Sequence, residues 1–179
     1  MPTVIDHPSK IIFHRLQKFS DQHWGKHFQS PEETKINFFD NPKLIIKAKI
    51  DGKLVGLVNI FIRTITFKGI KLVLGGIGGV VTHQEFRRCG VATATLRRAV
   101  IEMEKQGVDI SLLCTDTDKL GSFYQKVGYQ ILGRPYYYFN KFGQEKPDTG
   151  GMIKAITQKV NVTEIINSSD KLSVGNSDF

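Results

Sequence analysis

Apolar and polar residues alternate with two different periods through the middle of the chain. Residues 70–82 form a mostly apolar, glycine-rich run that ends at Thr82, and a run of this kind is typical of a strand buried in a sheet. After a short basic loop, apolar side chains recur about every 3.6 residues from Gly90 onward. That spacing predicts an amphipathic helix whose inner face carries Val91, Thr95, Leu96, Ala99, Val100 and Met103.

Two further strands are predicted before this unit. Residues 43–50 and 53–67 have the apolar pattern of strands, and Asp51-Gly52 between them is a strong hairpin signal. Lys68-Gly69 marks a second tight turn that leads into the strand at residues 70–82. The pattern therefore predicts three consecutive antiparallel strands, the last of which leads into the basic loop and the helix.

The N-terminal region is predicted to hold one strand and two helices. The strand covers residues 11–13, and the helices cover roughly residues 20–28 and 31–39. The second helix has the stronger start, with Ser30 as N-cap, Pro31 at the first helical position and Glu33 three residues after the cap.

A parallel strand and another helix are predicted after the central helix. Gly107 supplies a C-terminal stop, and residues 108–114 form a mostly apolar run of strand length. Because a helix joins this run to the strand ending at Thr82, the two strands should be parallel neighbours with a right-handed crossover. Residues 115–118 then cap a helix that runs from Lys119 to about Val127.

The last part of the chain predicts short strands and a polar tail. Residues 129–132 and 136–142 should form an antiparallel pair, and residues 152–157 add a last short strand. Alternation within residues 136–139 should turn half of the aromatic side chains toward the core. Periodicity is lost from about residue 160, so residues 160–179 are expected to form a loosely ordered tail behind a single domain of residues 1–159.

Composition and charge limit the class of protein, its possible partners and its cellular compartment. A chain of 179 residues with 40% hydrophobic and 23% charged residues suits one globular domain. The net charge of +8 favours an anionic partner, which includes nucleic acid, an acidic membrane and a polyphosphate cofactor. The two cysteines, Cys89 and Cys114, lack metal-ligand spacing, which favours free thiols, a cytoplasmic setting and no metal. No apolar run reaches about eighteen residues, so a membrane span is not predicted.

The chemistry that the sequence suggests is concentrated in the loop before the central helix. Arg87-Arg88-Cys89-Gly90-Val91-Ala92 fits the pattern Arg/Gln-x-x-Gly-x-Gly/Ala. Small residues at positions 90 and 92 let a ligand approach the backbone, and the first helical turn offers unpaired N–H groups and the positive end of a dipole. The loop therefore suits a phosphate or pyrophosphate. Alone, the same motif also fits a solvated basic loop.

A second motif follows at the distance expected of a known family. Phe123-Tyr124 with Gly128-Tyr129 matches the form Phe/Leu-Tyr-x-x-x-Gly-Phe/Tyr. With the strand, loop and helix before it, the region from about residue 45 to 142 resembles the acyl-CoA-dependent N-acetyltransferases of the GNAT superfamily. The resemblance implies an α/β (α+β) fold with a mixed, mostly antiparallel central sheet, a parallel strand pair that splays apart, and helices on both faces. It also implies acetyl-CoA as co-substrate.

The resemblance assigns roles to two stretches of backbone. The pantetheine arm would bond to the strand near Val80, Val81 and Thr82 as an extra strand does, and the diphosphate would lie over the N–H groups of residues 88–92. Arg87 and Arg88 would add positive charge. The full set of cofactor-binding residues so implied is Val80, Val81, Thr82, Arg87, Arg88, Cys89, Gly90, Val91, Ala92, Thr93, Thr117 and Tyr124.

The resemblance implies Tyr124 as the catalytic general acid for the departing thiolate, with N–H groups near Val81 polarising the thioester carbonyl. The sequence departs from the family in lacking a carboxylate on the strand that ends at Thr82. A water relay or a carboxylate from elsewhere must then serve as base, with Asp116 and Glu85 as weak candidates. Thr117 also stands where many members have Asn. His83 is more consistent with a turn residue than with a base.

The function so implied is transfer of an acetyl group from acetyl-CoA to a primary amine of a small molecule or protein. The family also implies that a homodimer can form. One alternative is a basic nucleic-acid-binding module that reads with the helix from Arg87 to Arg98. Against nucleic acid, that helix has its apolar face in a strand-helix-strand unit and lacks a helix-turn-helix partner. The other alternative is a GNAT domain that binds acyl-CoA without catalysis.

Overall fold

The computed structural model describes residues 3–6 and 42–176 of the chain. The strand predicted at residues 11–13 and the helices predicted at 20–28 and 31–39 lie outside the described residues. In chain order, the described strands are β1 Thr3–Asp6, β2 Leu44–Ile50, β3 Lys53–Phe67, β4 Ile70–Thr82, β5 Ile110–Cys114, β6 Gln130–Ile131, β7 Tyr136–Phe139, β8 Glu145–Asp148, β9 Gly151–Ala155 and β10 Ser173–Asn176. The described helices are α1 Val91–Lys105, α2 Thr117–Gln125 and α3 Val162–Asn167.

Two sheets organise these strands. The larger sheet has the order β1-β2-β3-β4-β5-β9-β6, and the smaller has the order β10-β7-β8. Within the larger sheet β4 and β5 are parallel, whereas the other neighbouring pairs are antiparallel. The mixed, mostly antiparallel sheet with one parallel pair confirms the predicted fold class.

Two tight turns set the register of the long central hairpins. Asp51 and Gly52 have φ angles of 49° and 76°, and Lys68 and Gly69 have φ angles of 50° and 76°. Two successive residues with positive φ are the mark of a type I′ turn, whose twist matches that of the strands it joins. Both predicted hairpins, and the three antiparallel strands that they connect, are confirmed.

Side chains from the two faces of the larger sheet form the two largest cores of the described residues. On one face, Leu96, Ala99 and Met103 of α1 pack with Tyr124 of α2 and with inward residues of β2–β5. On the other face, Val162 and Ile165 of α3 pack with Leu72, Leu74, Ile110 and Leu112. Alternate residues along β5 therefore belong to different cores, and helices cover both faces, as predicted.

The strand pairing after α2 differs from the prediction. β6 pairs with β9, and β7 pairs with β8 and β10, so residues 129–132 and 136–142 do not form the predicted pair. β7 also ends at Phe139, because the Asn140 side-chain oxygen accepts hydrogen bonds from the N–H groups of Phe142 and Gln144 and closes a turn. The alternation within β7 is as predicted, since Tyr136 and Tyr138 are buried while Tyr137 and Phe139 are half-buried.

The expectation of a loosely ordered tail from residue 160 is also wrong. Residues 162–176 include α3 and β10, and four apolar side chains there are at most 4% exposed: Val162, Ile165, Leu172 and Val174. Arg134 fixes the segment from the body of the protein by donating to the carbonyl oxygens of Ile165, Ser168 and Asp170. The segment is ordered because its few apolar residues complete the second core.

Candidate active site

The parallel strands β4 and β5 separate at their carboxyl ends. Their paired residues run from Leu74 with Ile110 to Ile77 with Leu113. β4 then continues to Thr82, and β5 ends at Cys114, so among the described strands the last part of β4 pairs with β3 and no longer with β5. The result is a slot in the plane of the sheet at the carboxyl ends of the two parallel strands.

A bulge in β4 begins the separation. The register between β3 and β4 shifts between the pairs Leu57 with Val81 and Asn59 with Gly78. Gly79 has a φ angle of 57°, and a Cβ at this position would stand 2.6 Å from the Asn59 side-chain nitrogen. An extra residue of this kind bends its strand and increases its twist, which turns the end of β4 away from β5. Gly78-Gly79 was the available sequence signal for this bulge.

The register decides which backbone groups face the slot. The His83 N–H donates to the Val55 carbonyl oxygen over 2.8 Å, and backbone groups alternate in direction along a strand. Val81 therefore directs its backbone toward β3, whereas Val80 and Thr82 direct theirs away from it. Of the three residues predicted to hold a pantetheine arm, the alternation places Val80 and Thr82 on the slot. The Thr82 hydroxyl is buried and has no hydrogen-bond partner within the described ranges.

The loop after β4 is short and exposed. A 3₁₀ turn covers Gln84–Phe86, and the His83 Nδ1 atom caps it by accepting from the Glu85 N–H over 3.4 Å. This confirms that His83 is a turn residue. Arg88 has a left-handed φ of 63°, and the Arg87 Nε–H donates to the Thr82 carbonyl oxygen over 3.4 Å. Arg87, Arg88 and Cys89 are all exposed.

The helix α1 begins at this loop with its first N–H groups available. Gly90 is the N-cap with a φ angle of 79°, and no described side chain caps the helix. The first helical bond runs from the Ala94 N–H to the Gly90 carbonyl over 2.9 Å, so helix geometry leaves the N–H groups of Val91, Ala92 and Thr93 without helical partners. An anion is favoured at such an end.

Tyr124 is the buried phenol of the site. It lies on α2, is 7% exposed, and makes edge-to-face contacts with Phe123 and Tyr129 at ring-centroid distances of 4.9 and 6.2 Å. Burial, with a smaller contribution from the Cys114 thiol, raises the pKa of Tyr124 to about 12. Its hydroxyl therefore stays protonated at any physiological pH and can act only as a donor of a hydrogen bond or proton, or as an acceptor through its lone pairs.

The two weak candidates for a base have other partners. Asp116 is the N-cap of α2, where it accepts from the Lys119 N–H over 3.2 Å and from the Lys119 ammonium over 2.7 Å. The hydrogen bond from Lys119 lowers the pKa of Asp116. Glu85 is exposed, with its carboxylate 3.8 Å from the His83 ring nitrogen. Thr117 is the first residue of α2 and is half-buried.

One carboxylate that sequence reasoning missed lies at the carboxyl end of β5. The Asp148 Oδ1 atom is 3.4 Å from the Cys114 sulfur and accepts from the Gly150 N–H over 2.7 Å. Cys114 is the last residue of β5, so Asp148 borders the carboxyl end of that strand. No local pattern indicates this contact, because 34 residues separate Asp148 from Cys114.

The structure brings the predicted site residues to one edge of the sheet. The end of β4, the loop and the start of α1 lie at the carboxyl end of one parallel strand, and Thr117 and α2 follow the carboxyl end of the other. Across the described ranges, no group of three or more His, Cys, Asp or Glu side chains is placed to hold a metal ion. Within the same ranges, no helix is both long and apolar enough to cross a membrane.

Comparison with known proteins identifies the class. The acetyltransferase (GNAT) domain family matches residues 17–132, which is more than half of the chain, and the chain therefore belongs to this family. No curated protein sequence matches it significantly.

Solved structures share the fold at low sequence identity. The GNAT family N-acetyltransferase YhbS of Escherichia coli, in complex with CoA, has a TM-score of 0.61 and 12% identity, with 97% of this chain and 89% of that one covered. A GNAT family acetyltransferase of Brucella melitensis, in complex with acetyl-CoA, has a TM-score of 0.58 and 12% identity, with 89% and 92% covered.

A third similar structure is a larger protein. The GCN5-related N-acetyltransferase of Anabaena variabilis has a TM-score of 0.56 and 23% identity over 76% of this chain. This chain covers about a third of that protein and of two other matched structures, from Enterococcus faecalis and Mycobacterium abscessus. At these identities the likeness is one of fold.

Proposed function

We propose that this chain is an N-acetyltransferase that moves the acetyl group of acetyl-CoA to a primary amine by direct attack. The observation that carries the proposal is the slot between β4 and β5, which has an uncapped helix N-terminus at its mouth and the buried Tyr124 hydroxyl from the next helix. Membership of the acetyltransferase (GNAT) domain family supports acetyl-CoA as the donor.

The proposed cofactor contacts are mostly with backbone. The diphosphate would take the N–H groups at the start of α1, over the small residues Gly90 and Ala92, with Arg87, Arg88, Cys89 and Thr93 around it. The pantetheine arm would bond to the slot-facing groups of Val80 and Thr82. The buried Thr82 hydroxyl is a further group that a ligand can satisfy.

Tyr124 would act on the leaving sulfur. A thiol has a reference pKa near 8.5, about 3.5 units below the pKa of about 12 given to Tyr124 by its burial. Complete transfer of the phenolic proton to a thiolate would cost about 5 kcal/mol on this difference. The tyrosine would therefore stabilise the sulfur chiefly by donating a hydrogen bond as the C–S bond breaks.

The test is acetyl-CoA binding followed by turnover. Calorimetric titration with acetyl-CoA should give one saturable site, and CoA should raise the melting temperature through its affinity for the folded state. Release of free CoA in the presence of primary amines, with the acetylated product identified by mass spectrometry, would then establish the reaction. Absence of acetyl-CoA binding at millimolar concentration would rule the proposal out. A site that binds acetyl-CoA but turns over no amine would point to a non-catalytic GNAT domain.

Two further properties stay predictions. Exposed Cys89 and half-buried Cys114 form no disulfide among the described residues, which supports a reducing, cytoplasmic setting. A homodimer is proposed from the family alone, and size-exclusion chromatography with light scattering would test it.

A further inference from the structure

Asp148 and Tyr124 approach the end of β5 from opposite sides of the sheet. Tyr124 belongs to the core on the α1 and α2 face. Cys114, at the end of β5, packs against the core on the α3 face, and its sulfur contacts the Asp148 carboxylate. A thioester held in the slot would therefore have the phenol on one side and the carboxylate on the other.

The Asp148 carboxylate is only partly engaged. Its Oδ1 atom takes both contacts, from the Gly150 N–H and from the Cys114 thiol. Among residues 3–6 and 42–176, no group donates a hydrogen bond to its Oδ2 atom, and no Lys or Arg forms an ion pair with the carboxylate. Asp148 is half-buried. A half-buried carboxylate without a cation is suited to receive one.

The surroundings hold the carboxylate in place. Gly150 has no room for a side chain, because a Cβ there would lie 2.6 Å from the Thr115 carbonyl oxygen and 3.2 Å from the Cys114 sulfur. The Thr115 N–H in turn donates to the Gly150 carbonyl over 2.9 Å. The turn that carries Asp148 is thus bonded directly to the segment that follows β5. Two titratable groups neighbour it: the Cys114 thiol at the end of β5, which donates to its Oδ1 atom, and Tyr136, its cross-strand neighbour on β7.

We propose that Asp148 binds the ammonium group of the acceptor and takes a proton from it, the role for which β4 supplies no carboxylate. This rests on the proposed function. One proton passes from the ammonium to the Asp148 Oδ2 atom and then to solvent. The nitrogen lone pair forms the N–C bond, the C–S bond breaks as Tyr124 donates a hydrogen bond to the sulfur, and the thiolate takes the second proton that the nitrogen sheds. The products are an amide, CoA thiol and one released proton.

The alternative is that Asp148 only shapes the turn at Gly150, and an isosteric variant separates the two roles. Asp148→Asn keeps an oxygen that accepts the Gly150 N–H but removes the charge. Glu145→Gln is the matched control, since Glu145 lies on the same strand β8, carries the same charge, and pairs with Lys171 at the surface. Asp148→Glu retains the charge and should recover part of the activity.

The probes are butylamine and 1,4-diaminobutane, with acetyl-CoA binding measured first on every variant. Asp148→Asn should raise the KM for the amine about tenfold or more, the scale of one lost charge-assisted contact, and should leave the acetyl-CoA Kd within about twofold. Glu145→Gln should change neither quantity. The rate of product formation should fall in Asp148→Asn, recover in part in Asp148→Glu and stay unchanged in Glu145→Gln.

The outcomes separate the two proposals. If wild-type protein fails to bind acetyl-CoA, the proposed function fails, and the role of Asp148 fails with it. If acetyl-CoA binds but neither amine is bound or acetylated, Asp148 is not an ammonium site for simple amines and this inference is overturned. It is equally overturned if Asp148→Asn and Glu145→Gln show the same amine KM.

Discussion

Gly56 on β3 lies directly beneath Val91, the first residue of α1. A Cβ at Gly56 would stand 2.6 Å from the Val91 Cγ1 atom and 3.2 Å from the Val81 carbonyl oxygen. The missing side chain thus lets the start of the helix sit against the sheet beside the end of β4. The position of the proposed phosphate site follows from this contact, since α1 and β4 would both have to move to admit a methyl group.

Gly56→Ala should therefore disturb both stability and cofactor binding. Crowding of this kind costs about 1–3 kcal/mol, and displacement of α1 should weaken acetyl-CoA binding measured by calorimetry. Gly121→Ala is the control, because a Cβ there meets only the Thr117 Cβ and Ile131 Cδ1 atoms at 3.8 and 3.9 Å. In the helix α2 that change should stabilise the protein by about 0.5–1 kcal/mol in urea unfolding. Equal effects of the two variants would contradict this account.

Gly90 and Gly107, just before and just after α1, provide a matched pair for the phosphate loop. Their φ angles are 79° and 70°, and neither would bring a Cβ within 4 Å of another atom. Leucine at either position should cost about 1–2 kcal/mol of left-handed strain. Only Gly90→Leu should abolish acetyl-CoA binding, because only there would the side chain cover the N–H groups of the first turn. Similar acetyl-CoA Kd values for both variants would show that the loop before α1 does not bind acetyl-CoA.

Tyr124 and Tyr129 differ in what their hydroxyl groups contact. The Tyr129 hydroxyl lies 2.7 Å from the Ser111 Oγ atom in the core, so Tyr129→Phe should lower the free energy of unfolding by about 1–3 kcal/mol. Turnover of the folded protein should survive. Tyr124→Phe should instead lower kcat about a hundredfold with little change in the acetyl-CoA Kd. Unchanged kcat in Tyr124→Phe would make Tyr124 a packing residue.

Stability should fall at alkaline pH because of the same two residues. Burial raises the pKa of Tyr124 to about 12 and also raises the pKa of Tyr129. The unfolded chain releases these protons above about pH 10 while the folded protein retains them, so stability is intact below pH 10 and is lost as the pH approaches 12. A Tyr124 pKa raised from 10.0 to about 12 corresponds to about 2.7 kcal/mol of the free energy of unfolding. Urea unfolding between pH 8 and 11 should show the decline, and Tyr124→Phe should flatten it.

The C-terminal segment should be essential for stability. Leu172 is fully buried in the second core, so Leu172→Ala should cost about 2–5 kcal/mol. Leu120→Ala, at a side chain that is 46% exposed, should cost much less. Thermal or urea unfolding of the two variants checks the difference. If Leu172→Ala lowers the free energy of unfolding no more than Leu120→Ala does, the C-terminal segment is loosely held after all.

Local patterns in the sequence predicted those parts of the fold that a few neighbouring residues determine. Asp51-Gly52 defines a turn by its own φ preferences, and the period of α1 defines its buried face without reference to the rest of the chain. The proposed phosphate loop before α1 is local in the same sense, because a phosphate site at a helix start needs only contiguous residues. Each of these features is local.

Features that depend on distant partners were missed. The sequence pattern pairs β6 with β7, its neighbour in sequence, whereas in the structure β6 pairs with β9 across the β7–β8 hairpin. The contact of Asp148 with Cys114 depends on the same β7–β8 hairpin, because Asp148 is the last residue of β8. In the C-terminal segment a weak signal was present, since Val162 and Ile165 are three residues apart and Leu172 and Val174 two apart. Their burial, however, depends on a core built elsewhere in the chain.

The bulge at Gly79 makes the count of residues in β4 as important as their identity. Backbone direction alternates with every residue, so an insertion or deletion of one residue between Gly79 and Thr82 would exchange the groups that face β3 for those that face the slot. The loop at His83 would shift by one position as well. Substitutions in this short segment can be absorbed by repacking, whereas changes of length would have to come in pairs.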